Sequence, residues 1–297
     1  MAVQIRGEGM AQKNELLTSD LETGRTEIEK IEISLLLEGI YQRYGHDFRN
    51  YAYSSIKRRI QHRIEIDKLE SISQLQHNVL YDPLSMKKLL GDFSVNVTEM
   101  FRDPEFYLSF RKHVVPLLHS LPSISIWHAG CSTGEEAYSM AILLHEEGLY
   151  KKSKIYATDM NSDVIERAKK GIFSFDKMKL YTSNYQKAGG PHAFSEYYTA
   201  DQYGVQFQHF LSENIAFSQH NLVTDSSFNE FNVILCRNVL IYFDKQLQNH
   251  VHGLLYKSLS RHGVLGLGSK ESIRFTAFME NYQDVDSENK LYKKINE

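Results

Sequence analysis

From about residue 120 to residue 269 the chain alternates short apolar runs with helical patterns, and no other feature restricts its fold as much. "SISIWHAG" (123–130) is an apolar run closed by glycine. "EEAYSMAILLHEEG" (135–148) has the spacing of a helix that stops at Gly148, a favoured C-terminal residue. "KIYATDM" (154–160) reads as a second strand. "NSDVIERAKKG" (161–171) reads as a helix with Asn161 or Ser162 as cap and Gly171 as stop. "FNVILCRN" (231–238) scarcely alternates, as expected of a strand buried on both faces. The next segment predicts a helix from Asp244 to Gly263, with Leu247, Val251, Leu254, Leu255 and Leu259 on one side. "VLGLGS" (264–269) is a further strand. Such alternation predicts an α/β fold, a mostly parallel sheet covered on both faces.

The flanks read differently. Residues 1–28 are polar and aperiodic, and a disordered tail is expected there. Over 29–95 apolar residues recur at helical spacing: Ile33, Leu36, Leu37 and Ile40 in one stripe, Ile56, Ile60 and Ile64 in another. Asp82-Pro83 opens a further helix. A small helical domain is expected over this span and an α/β domain over 96–297. Within the latter, alternation breaks down between Phe173 and Ile215, where "AGGP" (188–191) is a turn and "YGVQFQHF" (203–210) has strand alternation. A small β-rich insertion, over about 174–214, is expected there, either a surface elaboration or a partner-docking module.

Composition removes several classes. A formal charge of −3 argues against nucleic-acid binding through a generic basic footprint. No apolar run approaches the roughly 18 to 20 residues that span a bilayer, and the first twenty residues lack the apolar core of a signal peptide. Two cysteines, Cys131 and Cys236, cannot make a disulfide framework, so a cytoplasmic protein is expected. They read as small packing residues rather than nucleophiles. The 13 histidines show no metal-ligand spacing, and no metal is expected.

The turn after the first strand, "GCSTGEE" (130–136), carries the chemistry. In open α/β sheets the ligand lies beside such a turn, outside the carboxyl ends of the strands. Gly130 would let the chain turn, and Gly134 would let the backbone approach a ligand. Asp159 ends the next strand, where an acidic residue can bond ribose hydroxyls. A dinucleotide would place its pyrophosphate on the following helix N-terminus, but Glu135 and Glu136 stand there. Simple capping of the helix dipole would explain them too. A ligand with adenosine, an ammonium and a sulfonium suits all three features, as S-adenosylmethionine does.

"NVTEMFRD" (96–103), "CSTGEEAYSMA" (131–141), "ATDMN" (157–161), "HNL" (220–222) and "FNVILCRNVLIYFD" (231–244) together resemble the chemoreceptor glutamate methyltransferases, the CheR family. The resemblance runs from about residue 30 onward, in the family's order, and includes "SSIKRRI" (54–60). Ala137, Met100 and the looser "GSKES" (268–272) depart from the family pattern. The resemblance implies a class I, Rossmann-like S-adenosylmethionine-dependent methyltransferase domain with a small antiparallel β insertion, preceded by an all-α domain. It implies that Asn96, Thr98 and Arg102 contact the cofactor and that Glu136, rather than Glu135, accepts from its amino group. Asp159 would take the ribose hydroxyls, and Asn221 with the Leu222 backbone would flank the adenine. Arg237 and Asn238 follow a buried strand at its carboxyl end, where a polar pair is hard to explain as core. Tyr242 is expected nearest the transferred methyl, although its ring would also suit the core.

The implied reaction is methyl esterification of glutamate side chains in chemoreceptors, leaving S-adenosylhomocysteine. Arg102 or Tyr242 could orient the incoming carboxylate, with a hydrogen bond from Tyr242 favoured. The implied partner is the cytoplasmic helical domain of a receptor, docked through the β insertion or the basic helix around Lys57, Arg58, Arg59 and Arg63. No nucleic acid and no membrane insertion are expected, and a monomer is. Rival readings are a regulatory module that binds the cofactor without transfer, a methyltransferase acting on another protein, a small molecule or RNA, and a nicotinamide dehydrogenase.

Overall fold

Ile33, Leu36, Leu37 and Ile40 are all buried on one face of helix α1 (residues 26–44) in the computed structural model, which describes residues 26–94, 97–202, 204–274 and 276–295. Most of the expected tail therefore lies outside the described residues, and its last three positions open α1. The chain divides into two units, Met1–Phe93 and Ser94–Glu297.

The first unit adds α2 (Tyr53–Asp67), α3 (Ile72–Tyr81) and α4 (Pro83–Phe93). Ile56 and Ile60 are buried, with Ile64 half-buried beside them. Ser71 caps α3 by accepting from the Gln74 N–H at 3.1 Å, a contact type that contributes about 1 kcal/mol. Asp82 accepts from the N–H groups of Leu84 and Ser85 and so caps α4, with Pro83 at the position where its missing N–H costs nothing. The expected basic face is interrupted. Arg63 forks onto Asp92 (2.5 and 2.8 Å), and Arg59 donates to the Asp92 and Phe93 carbonyls that end α4. Arg59 and Arg63 are buried, Lys57 pairs with Glu29, and Arg58 is exposed.

The second unit opens with α5 (Pro104–Ser109) and α6 (Val115–His119), joined by a π-helical turn. The alternating elements follow: β1 (Ile124–Ala129), α7 (Glu135–Glu146), β2 (Ser153–Asp159) and α8 (Ser162–Lys170). Asn161 caps α8, accepting from Asp163 N–H at 2.9 Å. Next come β3 (Ile172–Phe173), α9 (Phe175–Lys187), β4 (Tyr198–Asp201), β5 (Gly204–Phe207) and β6 (Ile215–Gln219). Last are β7 (Phe231–Cys236), α10 (Lys245–Ser258), β8 (Leu259–Leu267), β9 (Tyr282–Asp286) and β10 (Leu291–Lys294).

Seven strands form one sheet in the order β6-β2-β1-β7-β8-β10-β9. The first five are parallel, and β10 pairs antiparallel with both β8 and the edge strand β9. The turns after β6, β2, β1 and β7 therefore emerge at one end of the sheet. β3, β5 and β4 make a separate antiparallel sheet. The insertion also holds the 13-residue helix α9, which strand alternation in "YGVQFQHF" does not reveal. The helix expected to reach Gly263 ends at Ser258. Leu259 continues the leucine spacing but is extended, paired with Phe231 across the sheet. No helix among the described residues is long and apolar enough to cross a membrane.

Candidate active site

Three of the four strand ends, those of β1, β2 and β6, are tied together by backbone hydrogen bonds. Gly130 and Cys131 donate their N–H groups to the Thr158 carbonyl, both at 2.8 Å, joining the β1 turn to β2. His220 donates its N–H to the Asp159 carbonyl, joining β6 to β2. Gly130 has φ +81°, and a Cβ there would lie 2.5 Å from a Val239 methyl in the turn after β7. Gly134, at φ +93°, also serves packing. A Cβ on it would meet the Ala168 Cβ at 2.9 Å, so it serves close packing of α7 on α8.

Asp159 sits at the end of β2. One carboxylate oxygen accepts from the Ser132 N–H and the other from the Asn161 N–H, both at 3.0 Å, leaving further lone pairs on each. Burial raises its pKa against the lowering by those backbone donors.

The two glutamates that open α7 have separate partners. Glu135 is buried and accepts from the hydroxyls of Thr133 and Tyr181, which fastens α9 to the glycine turn. The Glu136 carboxylate lies between His128 Nδ1 (3.0 Å) and Arg237 Nη1 (2.8 Å). Burial would raise its pKa, but Arg237 and His128 overcome this and hold it at about 2.

Arg237 is the centre of the site. Its other terminal nitrogen donates to Asp103 Oδ2 at 2.8 Å and to the Arg102 carbonyl at 3.2 Å, and its guanidinium lies 4.0 Å from the Phe106 ring centroid. The side chain is 1% exposed. Burial pulls its pKa down, and the facing carboxylates more than compensate. One guanidinium between two carboxylates leaves a net negative charge, the arrangement a cationic ligand requires.

The segment 97–103 reaches this centre through the Asp103 carboxylate and the Arg102 carbonyl. Arg102 folds its guanidinium back onto the Val97 carbonyl at 3.2 Å, and Thr98 is half-buried. Asn96 lies outside the described residues. Phe101 (φ +51°) and Asp103 (φ +56°) are left-handed, as are Ser132 (+50°) in the β1 turn and Asn238 (+62°) after β7. These are four of the seven non-glycine residues with positive φ among the described residues, so backbone strain concentrates where the loops meet. The Ser139 hydroxyl accepts from Phe101 N–H at 2.9 Å and holds that buried ring in place.

Asn221 caps its own turn, its side-chain oxygen accepting from Val223 N–H, and Leu222 is buried beside it, next to the Asp159 strand end. Tyr242 is half-buried in the 3-10 turn Leu240–Tyr242. Both cysteines are buried, and burial pushes their thiols well up, which suits packing. Two members of the centre escaped sequence reasoning. Asp103 stands beside Arg102 in "NVTEMFRD", and His128 sits inside an apolar run, where its polarity was the one available signal.

S-adenosylmethionine suits these residues. Asp159 retains acceptor capacity at a strand end, Glu136 and Asp103 outnumber the one cation, and buried Arg237 Nε and His128 Nε2 have no partner among the described residues. Thr98, Arg102, Glu136 and Arg237 would hold the amino-acid part of the cofactor, and Asp159, Asn221 and Leu222 the nucleoside.

The model of the CheR methyltransferase SAM binding domain matches residues 96–289, and that of the CheR methyltransferase all-alpha domain matches residues 31–94. The chain is 48% identical over 264 residues to "Putative methyltransferase Cher3" of Pseudomonas putida, covering 89% of this chain and 97% of that one. It is 30% identical over 231 residues to a chemotaxis protein methyltransferase of Listeria innocua, covering 77% and 85%. Among solved structures it is similar to PKMT2 from Rickettsia typhi, at 16% identity and a TM-score of 0.35, covering 58% of this chain and 26% of that one.

Proposed function

The chain belongs to the CheR methyltransferase family and uses S-adenosylmethionine, and we propose that it methylates glutamate side chains of chemoreceptors in sensory adaptation. The observation that carries this reading is the buried Arg237 guanidinium between Asp103 and Glu136, which leaves negative charge for the cofactor's ammonium. Relatives named chemotaxis protein methyltransferase, such as that of Listeria innocua, support the receptor as substrate.

The cofactor supplies an electrophilic methyl group on a sulfonium. A glutamate side chain, with pKa about 4.3, is ionised at neutral pH, so the protein has no proton to remove from the nucleophile. Its task is to place the incoming carboxylate and strip its water, and positioning of this kind supplies on the order of 7–11 kcal/mol. Arg237 is already engaged by Glu136 and Asp103, so it does not compete for the incoming carboxylate and blunt it. A hydrogen bond from the Tyr242 hydroxyl, or a contact from Arg102, orients that carboxylate. Asp159 takes the ribose hydroxyls, Asn221 and Leu222 flank the adenine, and Asn96, Thr98 and Arg102 hold the methionyl carboxylate. The receptor's helical domain is met through the insertion or through the end of the basic run, the part-exposed Lys57 and the exposed Arg58, by a cytoplasmic monomer.

The test is transfer from S-adenosylmethionine labelled on its methyl group to receptor-bearing membranes. The expected product is base-labile and releases methanol, as a glutamyl ester does. Label that survives base would mark a different acceptor group and refute this reading.

A further inference from the structure

β7 ends at Cys236, so no ladder fixes the backbone of residues 238–241, yet this loop follows Arg237, begins with Asn238 and leads into Tyr242. One carboxylate gathers its N–H groups, while the Gln248 side chain donates to the Leu240 carbonyl. Glu271, 5% exposed, accepts at one oxygen from the N–H groups of Asn238 (2.8 Å) and Gly268 (2.7 Å). At the other it accepts from Val239 (2.8 Å) and Ile241 (3.4 Å). The backbone turns left-handed at Asn238 (φ +62°) and right-handed at Val239 (φ −114°, ψ −49°). That succession points consecutive N–H groups to one side and makes a concavity for an anion. Here the chain supplies the anion itself, from 33 residues away. The approach requires glycine at 268, where a Cβ would lie 2.8 Å from both the Asn238 nitrogen and the Glu271 oxygen.

We propose that Glu271 is a positioning residue for methyl transfer: its carboxylate fixes the 238–241 backbone and thereby sets Arg237 against Glu136 and Asp103 and Tyr242 in its turn. This rests on the reaction proposed above. The carboxylate acts on the backbone that runs between Arg237 and Tyr242, through the N–H groups of Asn238, Val239 and Ile241. It is suited to the task because each oxygen can accept twice. A carboxamide is not, since in either orientation its NH2 faces two N–H donors.

Hydrogen exchange of the cofactor-free protein tests this directly. In Glu271→Gln, one pair of amides, Asn238 with Gly268 or Val239 with Ile241, should exchange at least about tenfold faster, while amides within β7 and β8 keep their protection. Affinity for S-adenosylhomocysteine, the probe, should fall about tenfold or more, and Glu271→Asp, which keeps the charge, should recover part of both. If the Gln variant does not fold, the Asp variant carries the same readout, with partial loosening of the same amides. Wild-type protection in the loop of either folded variant would overturn the proposal. So would a loosened loop with undiminished affinity and turnover. A wild-type protein that labels no receptor would count against the proposed substrate alone, because exchange and probe affinity would still decide the role of Glu271.

Discussion

Each unit of this protein buries arginine against carboxylate, and the two places differ in what surrounds them. In the helical unit Arg63 forks onto Asp92, and Arg59 reaches the last carbonyls of α4. Those are groups that any helix end leaves to be satisfied, and the one left-handed residue nearby, Lys68, closes α2 as an ordinary helix cap. In the α/β unit Arg237 faces two carboxylates, an aromatic ring and a backbone carbonyl, and four left-handed residues stand in the loops around it. The first arrangement closes a helix. The second holds charge and strain that folding alone does not need, which is how a ligand site differs from a structural ion pair.

Removing the central guanidinium should have the largest effect. Arg237→Leu removes the cation shared by Glu136, which keeps only His128, and the part-exposed Asp103, a loss of about 3 kcal/mol, and should weaken S-adenosylhomocysteine by more than about 100-fold in calorimetry. Wild-type affinity in that variant would erase the distinction between the two arginine sites.

Acid should act next. Glu136 is held at about 2 against an ordinary 4.5, so the stability it contributes is complete above pH 4.5 and is lost as pH falls from there towards 2. A shift of this size corresponds to roughly 3 kcal/mol. In Glu136→Gln the pH dependence of chemical denaturation over that window should shrink by that amount, and an unchanged profile would show that the ion pair is not what holds Glu136.

Arg63→Met leaves Asp92 without its fork and should cost about 2–3 kcal/mol of stability, with probe affinity within about twofold of wild type. A large drop in affinity would mean that this buried arginine also serves the ligand. Smallest, Tyr242→Phe removes one hydrogen bond to the incoming carboxylate and should lower turnover about tenfold with probe affinity nearly unchanged. Undiminished turnover would remove Tyr242 from the reaction.

The contrast between the units also marks how far the sequence could be read. Alternation of apolar runs shows the parallel strands, because a strand buried on both faces has to be apolar throughout. It likewise shows Arg237 as out of place after "VILC", and Asp159 at a strand end. Periodicity describes one element at a time. It grouped Lys57, Arg58, Arg59 and Arg63 as a face without showing that Arg59 and Arg63 meet α4. It extended α10 through Leu259, whose leucine spacing continues into a strand. Glu271 and Asp103 were unreadable for the same reason: their partners lie 33 and 134 residues away, and nothing local marks either as an acceptor.

The most direct test of the account is a crystal structure of the protein saturated with S-adenosylhomocysteine. The nucleoside should lie beside Gly130 with its ribose on Asp159 and its ammonium on Glu136. An empty crevice at Gly130, with the nucleoside bound elsewhere and the Arg237 ion pairs unchanged, would contradict it.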